Sequence, residues 1–262
     1  MKLYKVFSKG LISPFQNMKY KKGEWYTCEN FDEDKGNSCS YGFYATDIEG
    51  ITYSISSDID IYEVEVKGKS VECDTYKRRY EKIKIIRKCS KKEILSEAIE
   101  AEEKLGYKLS EAIFPIHPLH GNPRKPQKQD INNLILWASV RASVGASVWA
   151  SVSDSVGDSV WDLVSDSVGA SVVASVRASV GASVGDSVWD SVVAYMSGLF
   201  PNIDEWKYIK HEKGINPFKP CIDLWYRGFV PSFDGTMWRL HSGKYGATVL
   251  EIKREQLKSR DR

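Results

Sequence analysis

The sequence predicts an α+β protein with a mixed α/β N-terminal domain, a repetitive middle segment and a small α+β C-terminal cap. Three observations carry this. Leu3-Tyr4-Lys5-Val6-Phe7 and Ile61-Tyr62-Glu63-Val64-Glu65-Val66 alternate with the period of half-buried strands. Ser90-Lys91-Lys92-Glu93 is a capping box, which opens a helix through Leu95, Ala98 and Ile99. From Ala138 to Val193 one four-residue unit, (Ala/Asp)-Ser-Val-x, repeats fourteen times.

The first domain spans residues 1–112. Its opening strand ends at Ser8-Lys9-Gly10, and residues 28–41 are polar and read as a loop. Order resumes at Tyr41-Gly42-Phe43-Tyr44-Ala45-Thr46. The Tyr62–Val66 strand turns at Lys67-Gly68, and Lys82-Ile83-Lys84-Ile85-Ile86 is a further strand. Residues 113–129 read as a proline-rich linker carrying His117 and His120, which lack a third metal ligand; no metal site is expected.

The tetrads, within a segment of residues 130–200, admit two backbones. In an α-helix a period of four drifts about 40° per unit, so the valine stripe winds around the axis. Val, Ser, Asp and Gly are also poor helix formers, which favours short helices packed on one another over a single rod. The alternative is a β-solenoid, in which each unit forms one side of a coil and the glycines at 145, 157, 169 and 181 fall at corners. The flanks favour helices. Asp130 to Trp137 reads as a capped start running into the first unit, and Gly198 and Pro201 read as a stop. On the helical reading Gly157 and Gly181 are mid-helix weak points that Ala should improve, and Gly169 is the hairpin break.

Residues 201–262 form the cap. Pro220 to Gly228 reads as a helix with Pro early and Gly at its end. Asp234-Gly235 is a hairpin turn, and Ala247 to Ile252 a closing strand. Trp238 and Leu240 should pack inward while Met237, Arg239 and His241 face water.

Lys and Arg number 37 against 35 Asp and Glu, for a net charge of +2. Split by segment, the net is +2 before the tetrads, −4 within them and +4 after them. No segment is basic enough to indicate nucleic acid as a partner. Five cysteines without a C-x-x-C fit a reducing cytoplasm, and no apolar run is long enough for a membrane span.

The order K-V-F…G, Y-G-F-Y-A-T, Y-E-V-E-V-K-G and K-I-K-I-I resembles an uncharacterised domain of phage and bacterial proteins. Tyr44 stands where that domain more often carries His. The tail L-W-x-x-G-x-V-P-S-F-D-G-x-x-W-R-L-H-S-G-K, joined to the tetrads, is similar to a pairing in phage-type proteins. That resemblance implies a host cytoplasm as the setting. Gly42-Phe43-Tyr44-Ala45…Tyr53, followed by the Tyr62–Val66 strand, also resembles the G-I-Y-F-A…Y pattern of ADP-ribosyltransferases of the poly(ADP-ribose) polymerase type. In that family a His-Tyr-Glu set works on NAD, with the Tyr stacked on nicotinamide and the Glu stabilising a cationic transition state. Tyr53 matches the stacking Tyr. Val6-Phe7-Ser8 occupies the strand of the His-Gly pair, so the His is missing, and Glu63 and Glu65 lie on the nearest strand.

Tyr44, Tyr53, Glu63 and Glu65 are therefore the ligand-binding candidates. Read on their own, the same residues are core aromatics and a solvated strand face. The function expected is non-catalytic recognition of a protein partner or nucleotide, with no cofactor. The alternatives are an NAD-dependent ADP-ribosyltransferase, with NAD as cofactor, and a purely structural repeat protein.

Overall fold

A computed structural model describes residues 2–14, 17–37, 39–54, 59–73, 77–145, 147–180 and 185–258. The chain is α+β and divides into two compact units, Met1–Leu105 and Gly106–Arg262. No solenoid is present among the described residues, and the tetrads there are helical.

In the first unit every strand pairing is antiparallel. The strands are β1 (Leu3–Ser8), β2 (Trp25–Thr27), β3 (Phe43–Ala45), β4 (Ile59–Glu72) and β5 (Arg78–Lys88). The order is β1-β4-β5-β2, with β3 also on β5. Two reciprocal backbone bonds between Tyr4 and Thr46 draw the end of β3 to the free edge of β1. Alternation along β1 sorts its side chains. Phe7 enters an aromatic core with Tyr20, Phe43, Val64, Ile83 and Ile85, and Lys5 shares its face. Tyr4 is buried on the opposite face and donates to Glu97 of α1 (Lys91–Leu105). The capping box forms as expected: Ser90 N–H donates to Glu93 at 2.8 Å, and Glu93 N–H to the Ser90 hydroxyl at 3.2 Å. Residues Gly50–Ser54 form a 3-10 turn.

The second unit begins earlier than the sequence suggests. α2 (Leu109–Ile113) belongs to it, because buried Ser167 donates to the Ala112 carbonyl at 2.5 Å. Residues 113–129 pack rather than hang free. Trp225 Nε1 donates to the Ile116 carbonyl at 2.9 Å, and Ile116 N–H donates to the Tyr195 hydroxyl at 3.1 Å. The helix expected to start at Asp130 is α3 (Lys128–Ser143). Asp130 sits one turn in, as the reciprocal partner of the Gln127 cap.

The tetrads resolve their phase problem by breaking. α4 (Val148–Val156) and α5 (Asp158–Val168) are short enough that a 40° drift per unit keeps Val148, Val152, Val164 and Val168 buried. Gly157 joins them at φ +93°, ψ 143°, a conformation essentially reserved for glycine, so it is a hinge and not a mid-helix weak point. Gly169, expected as the break, is helical at φ −56° and opens a π-turn, Gly169–Val173, that runs on into α6 (Ala174–Val180). A π-turn takes up one residue without added rotation, which cancels about 100° of drift. Val164, Val168, Val172 and Val176 thus all stay buried across four consecutive units. Gly181 lies outside the described residues.

α7 (Gly185–Ser197) is the axis of the second core, with Val192, Val193, Ala194, Tyr195 and Met196 fully buried. Tyr195 stacks on Trp225 of α8 (Lys219–Tyr226) at 5.1 Å and 15°. β6 (Val230–Phe233), β7 (Met237–Ser242) and β8 (Ala247–Lys253) form the small sheet, and α9 (Arg254–Lys258) follows it. Trp238 and Leu240 pack inward as expected, but His241 does not face water. The register with β8 shifts there by one residue, Val249, but His241 keeps the face of Arg239 and Ser232 and is covered on it, at 4% exposure. Among the described residues no single helix is long and apolar enough to cross a membrane.

Candidate functional site

A cavity of about 1100 Å³ opens in the first unit between the edge of β1, the β3 segment, the turn at Ser13 and Pro14, and the loop at Asn37 to Gly42. Small-molecule sites run to roughly 300–1,000 Å³, so the space is ample for a nucleotide-sized ligand. Two lysines line it, Lys5 and Lys77, and none of the described lining residues is a carboxylate.

Tyr44 links the two lysines. Lys5 Nζ donates to the Tyr44 carbonyl at 3.1 Å, while Lys77 Nζ stands 4.6 Å from the centre of the Tyr44 ring. Lys77 also donates to Cys39 Sγ at 3.4 Å. Burial of the Lys5 ammonium, reinforced by the positive charge of Lys77, lowers its pKa from 10.5 to about 8. Tyr4, on the cavity edge, is held protonated by burial and by its bond to Glu97. Tyr41 is 68% exposed at the mouth and offers a free aromatic face.

Arg79 fixes the wall. It is completely buried on β5 and donates to the carbonyls of Asn37 at 2.7 Å and Asp34 at 2.8 Å. Its stem fills the space where a side chain at residue 42 would lie: a Cβ on Gly42 would come within 2.4 Å of Arg79 Cγ. Gly42, at φ +148°, lets the loop lie flat against that stem. The Tyr44 hydroxyl closes the loop, accepting from Ser40 N–H at 2.7 Å and donating to the Ser40 carbonyl at 3.0 Å.

Of the four candidates from the sequence, Tyr44 lies in the cavity wall. The Tyr53 side chain lies outside the described residues, although its backbone follows the cavity residue Gly50 within the 3-10 turn. Glu63 and Glu65 do not line the cavity. Glu63 pairs with Arg87 at 3.0 Å, and Glu65 with Lys84 at 2.5 Å beside Trp25. Lys5 and Lys77 were missed. Lys5 read as the polar position of an alternating strand, and nothing in the sequence shows that this position is covered.

A second pair has catalytic spacing but no opening. The Ser232 hydroxyl lies 2.8 Å from His241 Nε2, and His241 Nδ1 lies 3.0 Å from the Gly246 carbonyl. Both side chains are buried, and burial lowers the His241 pKa, so the pair works as a neutral clasp between strands. The described residues hold no group of three His, Cys, Asp or Glu suited to a metal ion, and the five cysteines are free. Comparison with protein-family models, curated proteins and solved structures gave no match.

Proposed function

We propose that the N-terminal unit recognises a small anionic ligand of the nucleotide class in the Lys5–Lys77 cavity. The observation that supports this most strongly is two ammonium groups on a cavity whose described lining carries no carboxylate. Such a wall favours phosphate, and Tyr41 and Tyr44 offer aromatic faces for a base or nicotinamide ring. On this reading the second unit is a rigid, repeat-built body.

An ADP-ribosyltransferase needs a carboxylate beside the ribose. Glu63 and Glu65 are held in ion pairs away from the cavity, which favours binding over group transfer. The experiment is a thermal-shift series on the full chain with NAD, ADP-ribose, AMP and inorganic pyrophosphate at low salt. At least one of the phosphate compounds is expected to raise the melting temperature, and the rise should shrink in Lys77→Met. No shift with any of the four overturns the reading. Release of nicotinamide from NAD would instead favour the transferase.

A further inference from the structure

We infer that Lys5 captures a carbonyl group of the bound anion as a reversible imine, which makes an aldehyde or keto compound bearing phosphate or carboxylate the matching ligand. This rests on the reading that an anion occupies the cavity. Lys5 differs from the surface lysines of the same unit. Lys2, Lys69 and Lys88 each contact a carboxylate, and those bonds raise their pKa. Lys5 has no ion-pair partner among the described residues; its Nζ donates to the Tyr44 carbonyl and stands 5.8 Å from the centre of the Phe7 ring. Burial and Lys77 both favour its neutral form, so a sizeable fraction is unprotonated near neutral pH. A desolvated lysine beside a second cation is the arrangement that makes an amine nucleophilic.

Lys77 would hold the anionic group of the ligand while Lys5 reaches its carbonyl carbon. The neutral Lys5 amine adds to that carbon, forming a C–N bond as the C=O π pair moves to oxygen. A proton passes from nitrogen to the oxygen, and the carbinolamine then loses water to leave the C=N bond. No oxidant or reductant takes part. Val6, Met18 and Phe43 give the cavity apolar walls beside Lys5.

The test uses glyoxylate as the probe with cyanoborohydride as trap, on the full chain near pH 7.5, followed by peptide mapping. Lys5 should be modified roughly tenfold or more faster than any other lysine, as its larger neutral fraction requires. Pyrophosphate should slow that modification, and Lys77→Gln should slow it as well. In Lys5→Arg the fast phase should vanish while slow surface labelling persists. Because mapping of the unaltered chain gives the answer, a variant that fails to fold leaves the test intact. Labelling of Lys5 no faster than that of exposed lysines overturns the imine. Calorimetric titration of pyrophosphate on the same sample then judges non-covalent binding separately.

Discussion

In Gly106–Arg262 the buried serines are closed into bonds with their own unit, whereas in Met1–Leu105 two ammonium groups line a cavity. Ser167 donates to Ala112, Ser191 to the Val188 carbonyl at 2.8 Å, and Ser187 accepts from Phe233 N–H at 2.8 Å. Asp190, its pKa raised by burial, is still met by Arg141 at 2.6 Å. Lys5 is met by a carbonyl and the Phe7 ring but, among the described residues, by no carboxylate, although a buried charge without an opposite charge destabilises the fold. Buried polar atoms without a partner occur in both units, Tyr20 Oη and Arg79 Nε in the first and Asn133 Nδ2, Trp137 Nε1 and Trp206 Nε1 in the second, so what sets the first apart is its cavity with two lysines. The tetrads, the most conspicuous feature of the sequence, are packing.

The helical unit should not tolerate damage to its core. Trp225→Ala removes the stacking partner of Tyr195 and the donor to Ile116, and should destabilise the protein by about 3–5 kcal/mol in urea denaturation. A loss below ~1 kcal/mol would mean that this core is not load-sharing.

The opposite sign is expected at Lys5. Its folded pKa of about 8 lies below the 10.5 of the unfolded chain, so the unfolded state binds more protons between those values. Stability should therefore rise as pH increases from about 8 to 10.5, with the penalty fully present below 8. Lys5→Met should stabilise at pH 7 by at most about 3 kcal/mol, and the gap over the parent should narrow toward pH 10.5. A gap that does not change with pH would show that the ammonium is solvated.

Two glycines of the tetrads should respond to Ala in opposite directions. Gly157→Ala should destabilise by about 1–3 kcal/mol, since φ +93° is strained for any L side chain although nothing crowds the site. Gly169→Ala should stabilise by about 0.5–1 kcal/mol, because the residue is helical and a Cβ there meets open space. Thermal melts of the two variants moving in the same direction would contradict the hinge and π-turn assignments.

Much of the fold could be read from local pattern. β1, β4, β5 and α1 follow alternation and capping, and the helical nature of the tetrads followed from their flanks. Which glycine breaks the array could not be read, because Gly157 and Gly169 occupy identical places in identical units. Only the phase of burial, set by partners elsewhere in the chain, distinguishes them. The domain boundary was displaced for the same reason: the tie from Ala112 to Ser167 spans 55 residues. At the site Tyr44 could be found through its motif. Lys5 could not, since its burial depends on the Tyr4–Thr46 pairing that draws β3 over the edge of β1. His241 escaped because it lies on the expected face with Arg239, and its burial comes from Ser232 and the Gly246 carbonyl closing around it.

On the proposed function, the Lys5–Lys77 cavity holds a phosphate-bearing anion. This is tested most directly by calorimetric titration of ADP-ribose into the full chain and into the Lys5→Met/Lys77→Met variant, with circular dichroism confirming that both are folded. Charge-assisted bonds contribute about 1.5–3 kcal/mol each, so loss of both lysines should weaken binding by roughly a hundredfold or more. Binding of undiminished strength in the double variant, or no binding of ADP-ribose to the parent chain, would contradict the assignment.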